Sequence, residues 1–495
     1  MCMKRITKSI MTIIAAVTIT GCNNISEEFT RISPSTNIGK FIENNNPISP
    51  VVFCADPTGV EYEGRLYIYG TNDHQQYFNA KENGYEKIKS LVCFSTEDMV
   101  NWTYHGIIDI EEKSPWIVNS WAPSIVSRIE EDGQTHFYMY YSNSGCGVGI
   151  ITATHPLGPW IDAKGSPLVY QGMPEIGDCP NPFDPGVCID EHGVGYVAFG
   201  AGTAKHGTAE MPGVSRIARL NSDMISCDTI IEVYTPYIFE AHEINYFNGV
   251  YLYTYNNNWQ PRNKETWNYP GYDVPMICSM AYMTSKTPME TDSWEYKGDY
   301  FPNPGDLGMR HSNNHTHFMK YKGEYYILYH TLNLQDNLNI KGGFRSLAVE
   351  KLNFGEEKLA IKMTRGTHRG VDAIEPFNPF NTTSGTTMSH GADIWFENDK
   401  QPDSITVYSK NRGAWIGLTN VDFGKKASSI TATVDGYGYI EVRVDSIDGE
   451  TIAYIEATGE KECVRTRLSN RISGINKLFF VFSDNNIKLI DWRFK

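Results

Sequence analysis

Five short stretches hold the residues of this chain whose chemistry stands out. They are Ala55-Asp56-Pro57, Trp121-Ala122-Pro123, Phe183-Asp184-Pro185, Phe239-Glu240-Ala241 and Asn313-Asn314-His315. Each precedes a glycine that opens an aromatic-rich run. Asp56 stands eight residues before Gly64, Trp121 twelve before Gly133, Asp184 nine before Gly193, Glu240 nine before Gly249 and His315 eight before Gly323. One Asp-Pro alone reads as a turn, but three acids in register with a repeat point to a common site. Cleavage of a glycosidic bond uses such a set: one carboxylic acid protonates the leaving oxygen, and one carboxylate activates water or attacks the sugar. A third carboxylate can raise the pKa of the acid by like-charge repulsion and fix its orientation. Glu243 rivals Glu240, but its odd offset turns it to the opposite face of a strand. Trp121, Tyr69 and Trp259 offer ring faces for a sugar, although core packing is the commoner use of any single aromatic.

The elements that must position these residues recur as well. The glycines at 64, 133, 193, 249 and 323 lie 69, 60, 56 and 74 residues apart, and each is followed by alternating aromatics such as Tyr251-Leu252-Tyr253-Thr254-Tyr255. Each copy reads as a hairpin with Gly in the turn. Amphipathic helices are scarce, and a hairpin repeat of this length predicts a five-bladed β-propeller over residues 50–367, one blade per period. Equivalent positions early in the innermost strands then converge on one mouth of the central channel. From residue 380 to 495 the pattern changes to short alternating strands such as Ile440-Glu441-Val442-Arg443-Val444, which predict a β-sandwich of jelly-roll type. The fold class is all-β, with two globular domains.

The N-terminus reads as an address. Lys4, Arg5 and Lys8 precede the apolar run 10–19, and Ile19-Thr20-Gly21-Cys22 follows. The run is too short to span a bilayer and fits a secretory signal over 1–21. Cys22 after small residues resembles the lipobox of bacterial lipoproteins, so lipidation at Cys22 and a polar tether over 22–49 are expected, with the protein anchored in the cell envelope. Of the remaining cysteines, none forms a zinc spacing, and Cys179 and Cys188 are close enough in sequence to pair. The 495 residues carry a net charge of −15, which argues against nucleic-acid binding. A hydrophobic share of 41% excludes a disordered chain. The expected partner is a polysaccharide or oligosaccharide, and a monomer is expected.

These motifs, in this order over some 310 residues, resemble glycoside hydrolase family 43, the five-bladed propeller enzymes of plant polysaccharide breakdown. The matching pieces also include Ser95 to Trp102, His105-Gly106, Gly158-Pro159-Trp160 and Phe344-Arg345-Ser346. The resemblance implies Asp56 as general base, Glu240 as general acid and Asp184 as modulator and orienter of the acid, acting with inversion and without a cofactor. It further implies a substrate contact for Arg345 and a central ion, often calcium, held by His315. The activity it implies is exo-acting α-L-arabinofuranosidase on arabinoxylan or arabinan, with β-xylosidase or endo-xylanase as the alternative. A non-catalytic glycan-binding lipoprotein is the rival class. The C-terminal region resembles carbohydrate-binding module family 6, yet Cys463-Val464-Arg465-Thr466 and Leu489 stand where many such modules carry a stacking Trp and an Asn. Weak glycan binding there, or a structural role against the propeller, is expected.

Overall fold

The computed structural model describes residues 29–355, 360–424 and 426–495. The leader and Cys22 lie outside them. Five antiparallel sheets follow one another from Ala55 to Lys351. Four are four-stranded in their own right, and each begins with the strand nearest the axis: Ala55–Tyr62, Trp121–Ile129, Gly186–Ile189 and Ile238–Phe247. The fifth opens with Thr316–Tyr321 and has three strands. These first strands touch in a closed ring, the fifth returning to the first, so this is a five-bladed propeller. The five hairpin glycines have φ of +76° to +84°, left-handed values that glycine adopts without a Cβ penalty.

The ring is locked between neighbouring inner strands. Thr58 accepts the Ile125 N–H at 3.1 Å, Ser124 accepts that of Val187 at 3.0 Å, and Glu243 accepts that of Phe318 at 2.9 Å. In the third blade the corresponding residue is Gly186, where a Cβ would come within 2.3 Å of the Glu243 Cα. The third and fourth blades are thus packed backbone to backbone.

Residues 32–49, expected as tether, are instead part of the packed body. Ile32, Lys40, Asn46 and Ile48 are buried. This segment bonds to the third strand of the last blade: Ile48 N–H to the Leu347 carbonyl, and Asn46 through both amide atoms to the backbone of Val349. The chain before the first blade therefore ties it to the blade that has three strands among the described residues. Polar composition suggested a linker, but here Asn side chains replace backbone pairing while three isoleucines (32, 38 and 48) face inward.

The C-terminal residues form two facing sheets of antiparallel strands, one running through Lys488–Phe494 and Ala427–Asp435, the other through Trp415–Asp422, Ile475–Phe482 and Tyr437–Val444. One apolar core runs from the first and last blades into this sandwich, joining Phe94, Trp102 and Tyr104 to Met388, Phe396 and Trp492. The strand Thr387–Met388 adds directly to the outer edge of the first blade, on Trp102–Asp109. Gly106 is required there, because a Cβ would lie 1.9 Å from the Asp399 carbonyl oxygen. Cys179 and Cys188 are both buried free thiols, so they do not pair.

Candidate active site

The inner strands begin irregularly, and this irregularity builds the site. In the first, second and fourth blades a bulge follows Ala55, Trp121 and Glu240. The next residue has a left-handed backbone: Asp56 at φ 48°, Ala122 at 40° and Ala241 at 60°, with Asp184 at 53° ahead of the third inner strand. Non-glycine residues in this region carry strain of about 1–3 kcal/mol each. Four copies at one level turn the chain sharply at the mouth of the channel. Asp56 and Asp184 occupy the turned position itself, whereas Glu240 precedes it, level with Trp121. The three acids are therefore not in one register, as the spacing to the glycines suggested; the bulges shift Glu240 by one residue.

Asp56, Asp184 and Glu240 nevertheless meet in one cavity of about 160 Å3, with Tyr85, Trp121, Phe183, Asn313 and Arg345. Arg345 reaches Asp56 Oδ1 at 2.8 Å through Nη1 and holds Asp73 through Nε and Nη2 at 2.9 and 2.8 Å. Thr71 donates to Asp56 Oδ2 at 2.7 Å. Burial opposes ionisation of Asp56, but the Arg345 guanidinium overrides it and holds the carboxyl far below the usual carboxylate range. The His330 Nδ1 accepts the Asp56 N–H at 3.2 Å and its Nε2 donates to the Asn313 carbonyl at 2.9 Å, which pins the turned backbone.

The other two carboxyls shift the opposite way. Burial and then the charge of Asp56 push Glu240 up to about 7. The Asn313 amide donates to its Oε1 at 3.4 Å. Burial, then Glu240, then Asp56 raise Asp184 as well. Asp184 is better served by donors: Ser142 Oγ lies 3.2 Å from Oδ1, and the Ala241 N–H reaches Oδ2 at 3.0 Å. That last bond holds the peptide next to Glu240. One group ionised and two raised, within a single pocket, is the arrangement that acid–base catalysis requires.

Trp121 lines the cavity, its indole N–H donating to the Tyr85 carbonyl at 3.1 Å and its ring set edge-on to Tyr85. Arg345 both lines the cavity and forms a buried ion pair, with the Tyr85 ring 4.9 Å from its guanidinium carbon. Tyr69 is not a sugar platform: it is fully buried between the first two blades, its hydroxyl donating to the Pro156 carbonyl at 2.7 Å. Trp259 is partly exposed on the connection after Val250–Asn257 and is not among the cavity residues. Glu243 is removed from contention between blades, where it binds the Phe318 N–H and pairs with His317 Nδ1 at 2.7 Å. The bulge, not simple alternation, separates it from Glu240.

His315 lies behind the cavity wall, its Nδ1 3.5 Å from Asp56 Oδ1. Calcium takes about six to eight oxygen ligands. The charged and titratable groups that act on His315 are Asp56, His330, Arg345 and His317, and only Asp56 supplies oxygen, already engaged by Arg345 and Thr71. Among the described residues no group of three or more His, Cys, Asp or Glu is arranged to hold a metal. A calcium ion at His315 would therefore draw most of its ligands from water rather than from side chains. Sequence reasoning missed Tyr85, Asp73 and His330. Tyr85 and Asp73 sit on the connection between the second and third strands of the first blade, away from the glycine hairpins, and His330 reads as an ordinary strand residue.

Residues 44–358 match the model of glycosyl hydrolases family 43. The chain belongs to that family. An arabinoxylan arabinofuranohydrolase of Bacillus subtilis strain 168 is 32% identical over 91% of each chain. A second arabinoxylan arabinofuranohydrolase, from Paenibacillus polymyxa, is 29% identical over 92% of this chain and 75% of its own. The crystal structure of a family 43 arabinoxylan arabinofuranohydrolase from Bacillus subtilis in complex with cellotetraose superposes with a TM-score of 0.84, at 31% identity, over 92% of this chain and 98% of that one. The protein is thus a glycoside hydrolase, and family 43 hydrolysis needs no cofactor.

Proposed function

We propose that this family 43 enzyme is an inverting, exo-acting α-L-arabinofuranosidase that removes single arabinofuranose side chains from arabinoxylan. The observation that carries the reading is the cavity itself. At about 160 Å3 it is well below the roughly 300–1,000 Å3 of drug-sized ligand sites. It holds one terminal sugar, and its three acids are already sorted into one ionised and two raised groups. The likeness to two arabinoxylan arabinofuranohydrolases over nearly the whole chain supports arabinose as that sugar.

In this reading Asp56, kept ionised by Arg345, takes the proton of a water as it attacks the anomeric carbon. Glu240 delivers its proton to the leaving oxygen of the xylan chain. Asp184 has two donors against one long contact for Glu240, so it keeps the negative charge more readily and leaves the neutral-pH proton on Glu240. It also fixes the acid through the Ala241 N–H. One displacement gives inverted arabinose, and no sugar becomes attached to the enzyme. The C-terminal sandwich serves mainly as a structural partner of the first blade. We also propose export and lipid attachment at Cys22, with the folded body a monomer; loss of palmitate labelling in Cys22→Ala tests the anchor, and light scattering the monomer.

Hydrolysis of nitrophenyl α-L-arabinofuranoside against nitrophenyl β-xyloside tests the specificity, and proton NMR of the first-formed sugar tests the stereochemistry. Preference for the xyloside, or release of arabinose with retained configuration, refutes the proposal.

A further inference from the structure

A second aromatic-walled cavity lies apart from the catalytic one. It lies at the seam between the propeller and the C-terminal sandwich, holds about 390 Å3, and is walled by His74, Tyr77 and Phe78 on one side and by Trp395, Tyr408 and Lys410 on the other. The rings are organised rather than merely crowded. His74 and Trp395 stack at 4.3 Å and 28°, while Phe78 meets both edge-on at 4.5 and 5.3 Å. Phe78 is 62% exposed, an unusual state for a ring in a domain contact, where burial is the reason to place one.

Its position relates it to the catalytic pocket. The helix Asp73–Asn79 starts just past Thr71, which pairs with Ala55 beside Asp56. Two consecutive residues therefore face two cavities: Asp73 holds Arg345 at the catalytic pocket, and His74 lines the seam. Both cavities take lining from the start of the first inner strand and the residues just before it, Val51 and Phe53 at the seam and Asp56 at the catalytic pocket. The catalytic cavity has room for a single sugar, so a polymeric substrate needs another surface to hold its chain.

We propose that the seam is a second carbohydrate subsite, built jointly by the propeller and the sandwich, which holds a neutral segment of the polysaccharide chain. The exposed Phe78 ring, backed by the His74–Trp395 stack and with polar side chains at the rim, suits a sugar better than a purely apolar ligand. The rim carries one carboxylate, Asp393, already accepting from Ser35 and Asn37 at 2.7 and 2.8 Å, and one ammonium, Lys410. His74 adds no charge, since burial and then Lys410 push it down to about 3. The lining is therefore balanced, which fits an uncharged xylan segment rather than a uronate-rich or phosphorylated ligand. The inference rests on the reading of the enzyme as an arabinoxylan hydrolase.

The test uses the full chain and the variants Phe78→Ala and Trp395→Ala. Three readouts are taken: retardation in native gels containing arabinoxylan, KM on soluble arabinoxylan, and kinetics on nitrophenyl arabinofuranoside. The expected result is retardation lost and polymer KM raised about fivefold in each variant, with kcat and the nitrophenyl kinetics unchanged. Phe78 is largely solvent-exposed, so its variant keeps the test valid if Trp395→Ala weakens the seam. Wild-type retardation and KM in Phe78→Ala overturn the proposal, as does a lowered melting temperature in both variants with polymer binding intact, which assigns the rings to packing alone. An enzyme inert on every nitrophenyl glycoside, yet retarded in a Phe78-dependent way, would refute the activity and leave the subsite standing.

Discussion

Replacing Glu240 by Gln should make the protein a worse enzyme and, above neutral pH, a more stable one. The folded state raises the Glu240 carboxyl from 4.5 to about 7, so the folded chain binds more protons than the unfolded chain between those two values. Stability contributed by this group is then lost as pH rises through the window, and the folded state carries the full cost above pH 7. At about 1.4 kcal/mol per pKa step of one, the ceiling is roughly 3 kcal/mol. Water at the cavity mouth screens part of it, leaving about 1–2 kcal/mol. Gln keeps the shape of the side chain and its contact with Asn313 but cannot ionise. For a body of this size the gain corresponds to a rise of roughly 1–2 °C in melting temperature at pH 8.

The assay is thermal unfolding of both chains at pH 4, 6 and 8, read by calorimetry. The difference should be near zero at pH 4, where both states hold the proton, and should grow with pH. In parallel, kcat on arabinoxylan should fall about 10²–10⁴-fold in Glu240→Gln, with a much smaller loss on nitrophenyl arabinofuranoside, whose leaving group needs little protonation. An equal stability offset at all three pH values would refute the electrostatic reasoning. Equal losses on the two substrates would refute the assignment of Glu240 as the acid.

Four further outcomes follow from the same geometry. In the wild type, kcat/KM should fall on the alkaline side with an apparent pKa near 7, set by Glu240; the acid limb should lie below the ordinary Asp range because Arg345 holds Asp56 ionised, and Arg345→Gln should move it upward in a pH–rate profile. The same substitution leaves Asp56 and Asp73 buried without their cation and should lower stability by about 3–5 kcal/mol in denaturant unfolding. Tyr69→Phe should cost only about 0.5–1.5 kcal/mol for its lost bond to Pro156, with KM unchanged, as expected of a core residue. Gly186→Ala should destabilise by about 1–3 kcal/mol or more, because the fourth-blade backbone must retreat from the new methyl group, and should lower kcat by moving Ala241 and Asp184 apart.

Much of this molecule could be read from local pattern, because a propeller repeats its local physics. A turn glycine followed by alternating aromatics is the same solution five times over, and the fold followed from it. The three acids were legible because chemistry-bearing residues recurred ahead of those glycines. What supports them was not. Asp73, Tyr85 and His330 each act through contacts with residues far away in sequence, such as the bonds of Asp73 to Arg345; His330 accepts the N–H of the next blade's turned residue as Thr71 and Ser142 do, but with a different side chain at each place. The segment 32–49 looked like a linker for a related reason: its inward isoleucines are isolated, and the partner of Asn46 is a strand some 300 residues later.

The register of the acids carries a more general argument. Counting back from the glycines placed Asp56, Asp184 and Glu240 at one level, and the bulges separate them into two. Asp56 and Asp184 sit on turned, left-handed residues, and donors hold both carboxyls: Arg345 and Thr71 on Asp56, Ser142 and the Ala241 N–H on Asp184. Glu240 sits one residue earlier, on the extended side of the bulge, with a single long side-chain contact. An acid that must deliver its proton and recover it gains from that looser setting, since every added donor would favour the ionised form and pull its pKa back toward 4.5. The strained turn thus brings Asp56 and Asp184 to their donors at the mouth of the channel and leaves Glu240, one residue ahead of its own turn, with fewer.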